Sequence, residues 1–278
     1  MKALYDQISV ASSKLITRNY STSFSTGIYL LARKYHAPVY SIYGFVRLAD
    51  EIVDTFHDQD KALLLKEFRT HTYQAIERRI SLNPVLHAFQ GTVHQYGIER
   101  ELIDTFLDSM EMDLRRTEYD RLQYDKYIVG SAEVVGLMCL RVFCEGDNAR
   151  YEELKHPAMK LGAAFQKINF LRDIKADYEH LGRSYFPGVD VQRMSPEEKR
   201  TIETEILADF EEGLRGIRQL PKGARRGVYV AYVYYRKLFD KISSLPPTRL
   251  IEQRIRIHNS RKMVLLVRSL FRLRMNAI

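Results

Sequence analysis

Apolar positions recur at intervals of three and four along almost the whole chain, and the period-two alternation and hairpin turns of a sheet are missing. Glycine and proline punctuate this pattern at Ala37-Pro38, Leu82-Asn83-Pro84, Tyr96-Gly97, Glu145-Gly146-Asp147, His156-Pro157, Pro187-Gly188, Leu220-Pro221 and Pro246-Pro247. Between them lie segments of helix length, including roughly 38–57, 61–80, 98–116, 124–144, 158–180, 195–219 and 223–243. No repeat, low-complexity stretch or long polar linker divides them. The pattern therefore predicts an all-α fold, with residues 1–278 as a single domain built as a helix bundle. One segment, Gly130-Ser131-Ala132-Glu133-Val134-Val135-Gly136-Leu137-Met138, combines small and apolar residues around one acid. Such a composition allows either close helix packing or room for a ligand.

Composition changes this picture little. An apolar fraction of 45% is ordinary for a water-soluble domain. The start of the chain lacks the apolar run of a secretory signal, and no uncharged stretch looks long enough to span a bilayer. Cys139 and Cys144 suggest neither a disulfide framework nor a zinc site, so a reducing, cytoplasmic setting is expected. The net charge of +8 is more informative, because much of it is concentrated near one end. From Arg249 to Arg274 the basic residues Arg249, Arg254, Arg256, Arg261, Lys262, Arg268, Arg272 and Arg274 face a single acid, Glu252. Val264, Leu265, Leu266, Val267, Leu270, Phe271 and Leu273 lie among them, which is the pattern of a basic amphipathic helix. Its apolar face either docks on the core or lies on an anionic membrane surface. No nucleic-acid motif accompanies the charge, so a nucleic-acid partner is not expected.

The candidate chemistry lies in two acidic clusters. Asp50 and Asp54, and again Asp173 and Asp177, stand four residues apart, which places each pair on one helix face, one turn apart. Like charges at that spacing repel unless a cation sits between them. Two such pairs brought face to face would form an Mg²⁺ cage for a diphosphate, whereas each pair alone could be a solvated helix face.

The neighbouring residues decide which reading to prefer. Tyr43, Arg47, Asp50 and Asp54 share one stripe, and Glu51 lies off it as a support rather than a ligand. Gln166, Asn169, Asp173 and Asp177 form a second polar stripe, flanked by Phe165, Ile168, Phe170 and Leu171. A polar stripe on an otherwise apolar helix must find its partners in a cavity. Amide and carboxylate oxygens together suit Mg²⁺, with Mn²⁺ as a substitute. A third pair, Asp104 and Asp108, reads as a plain helix face with Glu111 and Arg115 close by.

Asn169-Phe170-Leu171-Arg172-Asp173-Ile174, followed by Gly182-Arg183-Ser184-Tyr185-Phe186-Pro187, resembles a signature of the squalene/phytoene synthase family, and Tyr43 to Asp54 resembles another. Tyr20-Ser21-Thr22-Ser23-Phe24, Met112-Asp113-Leu114 and Val135-Gly136-Leu137-Met138 extend the likeness, with weaker similarity at Tyr235 and Arg254. The resemblance implies an isoprenoid-synthase-type helix bundle around a central apolar cavity. It also implies that Asp50, Asp54, Asp173 and Asp177, with Asn169, surround Mg²⁺ and two prenyl diphosphates. Arg47, Arg172 and Arg254 would contact diphosphate oxygens. Tyr43, Tyr185, Tyr235 and Gln166 would line the reaction centre, with Phe24 at its mouth.

The implied reaction is a head-to-head condensation: ionisation to an allylic cation, attack by the second double bond, a cyclopropyl diphosphate, and rearrangement. No side-chain nucleophile is needed. The wording of Asp50–Asp54 and Met112–Leu114 is more like phytoene synthases, which join two C20 substrates without NADPH, than squalene synthases, which join two C15 substrates. Absence of a C-terminal anchor points the same way. Squalene or dehydrosqualene formation, or a catalytically silent assembly factor, are the alternatives. Two positions depart from the pattern: Thr22 stands where a basic residue is common, and Glu133 where glycine is usual. Glu133 reads either as an altered channel wall or as a satisfied structural carboxylate.

Overall fold

The computed structural model describes residues 2–115 and 118–274, without the side chains of His180, Asn259, Ser260, Arg261 and Arg274. In chain order the helices are α1 (Lys2–Tyr20), α2 (Thr22–Tyr29), α3 (Arg33–Asp54), α4 (Lys61–Arg78), α5 (Pro84–Tyr96), α6 (Arg100–Arg115) and α7 (Arg121–Ile128). A π-helical turn (Val129–Glu133) leads into α8 (Val134–Cys144), followed by α9 (Asn148–Leu181), α10 (Pro196–Gln219), α11 (Lys222–Ser243), α12 (Pro247–Glu252) and α13 (Asn259–Arg274). Among the described residues extended pairing is confined to one bridge, Glu118 to Ser184, so the all-α expectation holds.

The helix starts are written in side chains that satisfy first-turn amides. Asp60 accepts from Leu63 N–H, and Asn83 accepts from Val85 and Leu86 N–H. Reciprocal capping boxes start α7 (Asp120 with Gln123) and α10 (Ser195 with Glu198).

Two expected breaks are not breaks. Pro38 lies inside α3 and Pro157 inside α9. Pro38 is close enough to the helix start that little of the hydrogen-bond ladder is lost. Pro157 is accommodated by its neighbour: a Cβ on Gly216 of α10 would lie 2.4 Å from the Pro157 Cβ. The segment expected from 158 therefore begins at Asn148 and runs for 34 residues, roughly 50 Å of helix. The basic tail is also divided, with α12 and α13 separated by Gln253–His258.

Two apolar clusters hold the bundle. One joins α3 to α6 and α8 through Phe45, Phe89, Ile103, Phe106 and Met138, with the Phe45 and Phe89 rings stacked at 3.9 Å. The other joins α7 and α9 to α12 through Ile168, Leu171, Tyr185, Phe210 and Ile242. Each fully buried side chain of this size contributes about 1.5–3 kcal/mol relative to exposure.

Packing explains the small-residue segment. A Cβ on Gly130 would meet the Ser109 Cβ at 2.5 Å on α6, and one on Gly136 would meet the Ala158 carbonyl at 3.0 Å on α9. The continuous helical run Arg121–Cys144 is, against expectation, long and apolar enough to cross a membrane by length and composition. However, 67% of that window is buried inside the protein, and core packing accounts for its apolarity.

Candidate active site

α3 carries its polar stripe at its C-terminal end. The Arg47 guanidinium bonds Asp50 Oδ2 and, at 2.5 Å, Glu51 Oε2, while lying over the Tyr20 ring at 4.1 Å. Glu51 thus supports the arginine, as its place off the stripe suggests. Burial opposes the Glu51 charge, but hydrogen bonds from Thr55 and Arg47 hold its pKa below the ordinary value. Arg47 Nε is buried and has no hydrogen-bond partner among the described residues.

α9 presents the second stripe. Gln166 Oε1 accepts from Asn169 Nδ2 at 3.2 Å, and Asn169 Oδ1 accepts from the Tyr235 hydroxyl at 3.2 Å. Asp173 is held by Arg172 and by Arg254, whose Nε lies 2.6 Å from Asp173 Oδ1. Burial works against the Arg172 charge, yet the Asp173 carboxylate holds that guanidinium above its ordinary value. The Asp177 carboxyl makes no ion pair or side-chain hydrogen bond among the described residues.

The helices meet through a residue that sequence reasoning did not single out. α9 ends on Gly182 in the left-handed region, φ +64°, a conformation glycine adopts without steric cost. The next residue, Arg183, turns back across the bundle. Its Nη1 reaches Asp54 Oδ1 at 2.8 Å and the Tyr185 hydroxyl at 3.3 Å, and its Nη2 reaches the Asp113 carbonyl at 3.0 Å. Asp113, from α6, is buried beneath it and accepts hydrogen bonds from Tyr119, Tyr127 and Tyr185 at 3.1, 2.6 and 3.2 Å. Asp113 and Arg183 lie within family-like motifs, but the motifs alone assign them no role. Their significance is visible only when four elements converge.

Uncompensated charge marks the centre. Burial, followed by the Asp54 charge, pushes the Asp50 pKa upward. Burial and then Asp173 raise Asp177 to about 8, with Asp54 and Asp113 adding to the effect. Burial raises Asp113 to about 6, against the pull of Arg183 and the tyrosine hydroxyls. The carboxylates of α3 and α9 therefore share one field. Among the described residues, however, no three acids, histidines or cysteines stand close enough together to hold a metal ion. Arginines hold Asp50, Asp54 and Asp173 instead. The donor chemistry still suits Mg²⁺, which keeps several waters and shares its coordination with phosphate oxygens. Asp50, Asp54, Asp173, Asp177 and Asn169 are the oxygen donors available to it.

Aromatic rings cover the stripes. Phe24 stands 5.8 Å from both Tyr43 and Tyr235, and Phe165 stacks on Tyr235 at 4.1 Å. Phe170 stacks on Tyr185 at 4.1 Å. Burial pushes the Tyr43 hydroxyl up to about 12, so it stays protonated.

The remaining acids resolve differently. Asp104 and Asp108 are surface groups, as expected, but their partners differ: from α4, Arg69 lies 2.6 Å from Asp108 and Tyr73 donates to Asp104 at 2.6 Å, while Arg100 of α6 lies 3.4 Å from Asp104. Glu133 is buried, and burial raises its pKa. Its carboxyl has no hydrogen bond or ion pair among the described residues, which does not match the satisfied structural carboxylate, one of its two readings.

The squalene/phytoene synthase family model matches residues 17–261. A 15-cis-phytoene synthase of Enterobacter agglomerans is 31% identical over 238 residues, covering 81% of this chain and 75% of the relative. Phytoene synthase 1 of Zea mays is 25% identical over 258 residues, covering 82% of this chain but only 60% of the maize protein. Among solved structures, a dehydrosqualene synthase with bound ligand superposes with a TM-score of 0.82 at 21% identity, covering 97% of this chain and 98% of the other. A squalene synthase of Alicyclobacillus acidocaldarius gives 0.73 at 21% identity, covering 87% and 95%. Those two likenesses concern the fold. With the family match running from the start of the Tyr20–Phe24 region past Arg254, the chain belongs to the squalene/phytoene synthase family of prenyltransferases.

Proposed function

We propose that this protein condenses two prenyl diphosphates head to head, with two C20 substrates giving phytoene through a cyclopropyl diphosphate. The observation that carries this reading is the meeting of two carboxylate stripes with arginines at their edge and stacked aromatic rings beside them. Arg47, with its orphaned Nε, and Arg172 and Arg254 offer guanidinium donors to diphosphate oxygens. Mg²⁺ bound by Asp50, Asp54, Asp173, Asp177 and Asn169 would supply Lewis-acid stabilisation of the leaving diphosphate.

The chain's own residues then shelter the cation. The π-faces of Tyr43, Tyr185, Tyr235 and Phe24 stabilise positive charge without offering a nucleophile. A Tyr43 hydroxyl raised to about 12 is a poor trap for it. Closely packed rings also exclude the water that would quench the intermediate. Gln166 orients Asn169 by accepting a hydrogen bond from its side-chain amide. The curated phytoene synthases among the relatives favour the C20 reading. A presqualene diphosphate synthase of Rhodopseudomonas palustris, 30% identical over 171 residues, keeps the C15 reading as the second candidate.

The protein is further proposed to work in the cytoplasm at an anionic membrane surface. α13 exposes Met263, Val264, Val267 and Phe271 beside Arg268 and Arg272, an apolar face edged by positive charge that complements acidic lipid.

Purified protein given geranylgeranyl diphosphate and Mg²⁺ should release diphosphate and a C40 hydrocarbon without NADPH. Product from farnesyl diphosphate alone would transfer the assignment to the C15 alternative. No hydrocarbon from either substrate, with or without NADPH, would remove the enzyme reading.

A further inference from the structure

Lys167 carries a charge into the interior. It is only 5% exposed, and lysine is almost never buried to that extent unless it is paired. It follows Gln166 on α9, so its side chain leaves the helix about 100° around from the start of the polar stripe. Its partners are another pair of carboxylates four residues apart, Glu205 and Asp209 of α10. Lys167 Nζ donates to Asp209 Oδ2 at 2.7 Å and to Glu205 Oε1. Lys160, two turns earlier on the same face of α9, lies 3.5 Å from Asp209 Oδ1. Arg121 of α7 also holds Glu205, with both Nη groups at 3.2 Å.

A buried clamp of this kind contributes little net stability, because taking its charges out of water costs about as much as their attraction returns. Cohesion between α9 and α10 comes instead from Ile168, Leu171, Ile206 and Phe210, which share one apolar cluster. Gly213 and Gly216 add to it by letting α10 approach Leu161 and Pro157 closely. Apolar burial is non-directional. The ion pairs are directional. Asp209 is held between two lysines two turns apart, which limits how far α10 can slide along α9. Lys167 must in turn face both carboxylates at once, which limits the rotation of α9. That rotation decides where Asn169, Asp173 and Asp177 point, since all three are fixed to the same helix.

We propose that Lys167 is a positioning residue for the reaction: clamped by Glu205 and Asp209, it fixes the rotation of α9 and so the aim of the polar stripe. This rests on reading the stripe as one side of a prenyl diphosphate site. α9 then has two polar faces with different duties, one that meets substrate and one that holds the helix in register.

Urea unfolding, titration calorimetry with inorganic diphosphate and Mg²⁺, and turnover of geranylgeranyl diphosphate together test this assignment. Lys167→Met alone leaves Asp209 with only Lys160 and should lose both stability and turnover. The double variant Lys167→Met/Asp209→Leu removes the clamp without stranding a charge. Its unfolding midpoint should equal or exceed that of the wild type, because an apolar pair of similar volume replaces a buried ionic one. Its kcat should nevertheless fall roughly 10- to 100-fold, the scale of a misplacement of about 1 Å at a site. Diphosphate affinity should weaken alongside it. Lys167→Arg, which can still reach both carboxylates, should keep turnover within about threefold of the wild type. A double variant with wild-type turnover and diphosphate affinity overturns the proposal. So does one whose stability falls in step with its turnover, since the clamp would then be merely structural, or a folded Lys167→Arg that loses as much turnover as Lys167→Met. In each of these cases the diphosphate site stands. Wild-type protein that neither binds diphosphate nor turns over prenyl diphosphates removes the site reading, and this inference with it.

Discussion

The aspartate pairs of α3 and α9 have the same spacing but opposite electrostatic histories. On α3 the counter-charge begins locally: Arg47 sits one turn before Asp50 and takes both Asp50 and Glu51. Only Asp54 needs a distant partner, Arg183, which lies 129 residues away in sequence. On α9 the nearest arginine is the adjacent residue, Arg172, and it folds back onto Asp173, assisted by Arg254 from 81 residues away. Near the negative end of a helix dipole, Asp177 forms no ion pair among the described residues, and burial with the charges of Asp173, Asp54 and Asp113 outweighs the pull of Arg183. The comparison teaches that identical i,i+4 spacing does not fix a carboxylate's charge. The arginines that arrive afterwards decide it.

The largest test asks whether the two pairs act as one machine. Asp50→Asn and Asp173→Asn should each lower turnover by about 10²–10³-fold, the scale of removing one preorganised electrostatic group, with the helical circular dichroism spectrum unchanged. A near-normal rate in only one of them would restrict the reaction to the other helix.

Next comes the bridge. Arg183→Met leaves Asp113 buried without its cation, and breaking a pair of this kind costs about 3 kcal/mol, readable in urea unfolding. Arg254→Met removes a half-exposed partner and should cost under about 1 kcal/mol. Equal losses would show that the bridge is no more structural than the rim.

A pH series sharpens the contrast. Asp177 in the folded protein titrates near 8, against an ordinary 3.8, so the folded state binds the extra proton between those values. Stability of the metal-free protein should therefore fall as pH rises from about 4 to about 8. Asp177→Asn should flatten that slope, and Asp113, raised to about 6, should contribute only to the lower half of the window. An unchanged slope in Asp177→Asn would assign the effect elsewhere.

The smallest effect is the control: Asp104→Asn, on a surface pair of the same spacing, should change stability by no more than about 1 kcal/mol and leave turnover unaltered. A loss of turnover there would mean that spacing alone does not distinguish the site.

Much of the fold was legible because its signals are local. Three-and-four periodicity predicted the helices, and the Ser195 to Glu198 capping box coincides with the expected start near 195. Proline misled at Pro38 and Pro157, because whether a proline breaks a helix depends on where the helix begins and what packs on the ring. A Gly216 that accommodates Pro157 from 59 positions away leaves no mark near the proline itself. Within the site, the stripes of Tyr43 to Asp54 and Gln166 to Asp177 follow from helix geometry and were readable. Arg183 and the Asp113 tyrosine cluster were not, since each takes its meaning from partners on other elements.

The sequence by itself determined an all-α chain with two carboxylate stripes, a basic amphipathic end and a resemblance that the family match bears out. Those properties depend on residues within a few turns of one another, where backbone geometry dictates the neighbours. Tertiary structure alone decided which acids are neutralised, that Asp177 and Glu133 form no ion pair among the described residues, and that Arg183 reaches both Asp54 and Asp113. Charge in a partly buried site is set by whichever groups the packing brings within a few ångströms, and no local rule specifies them.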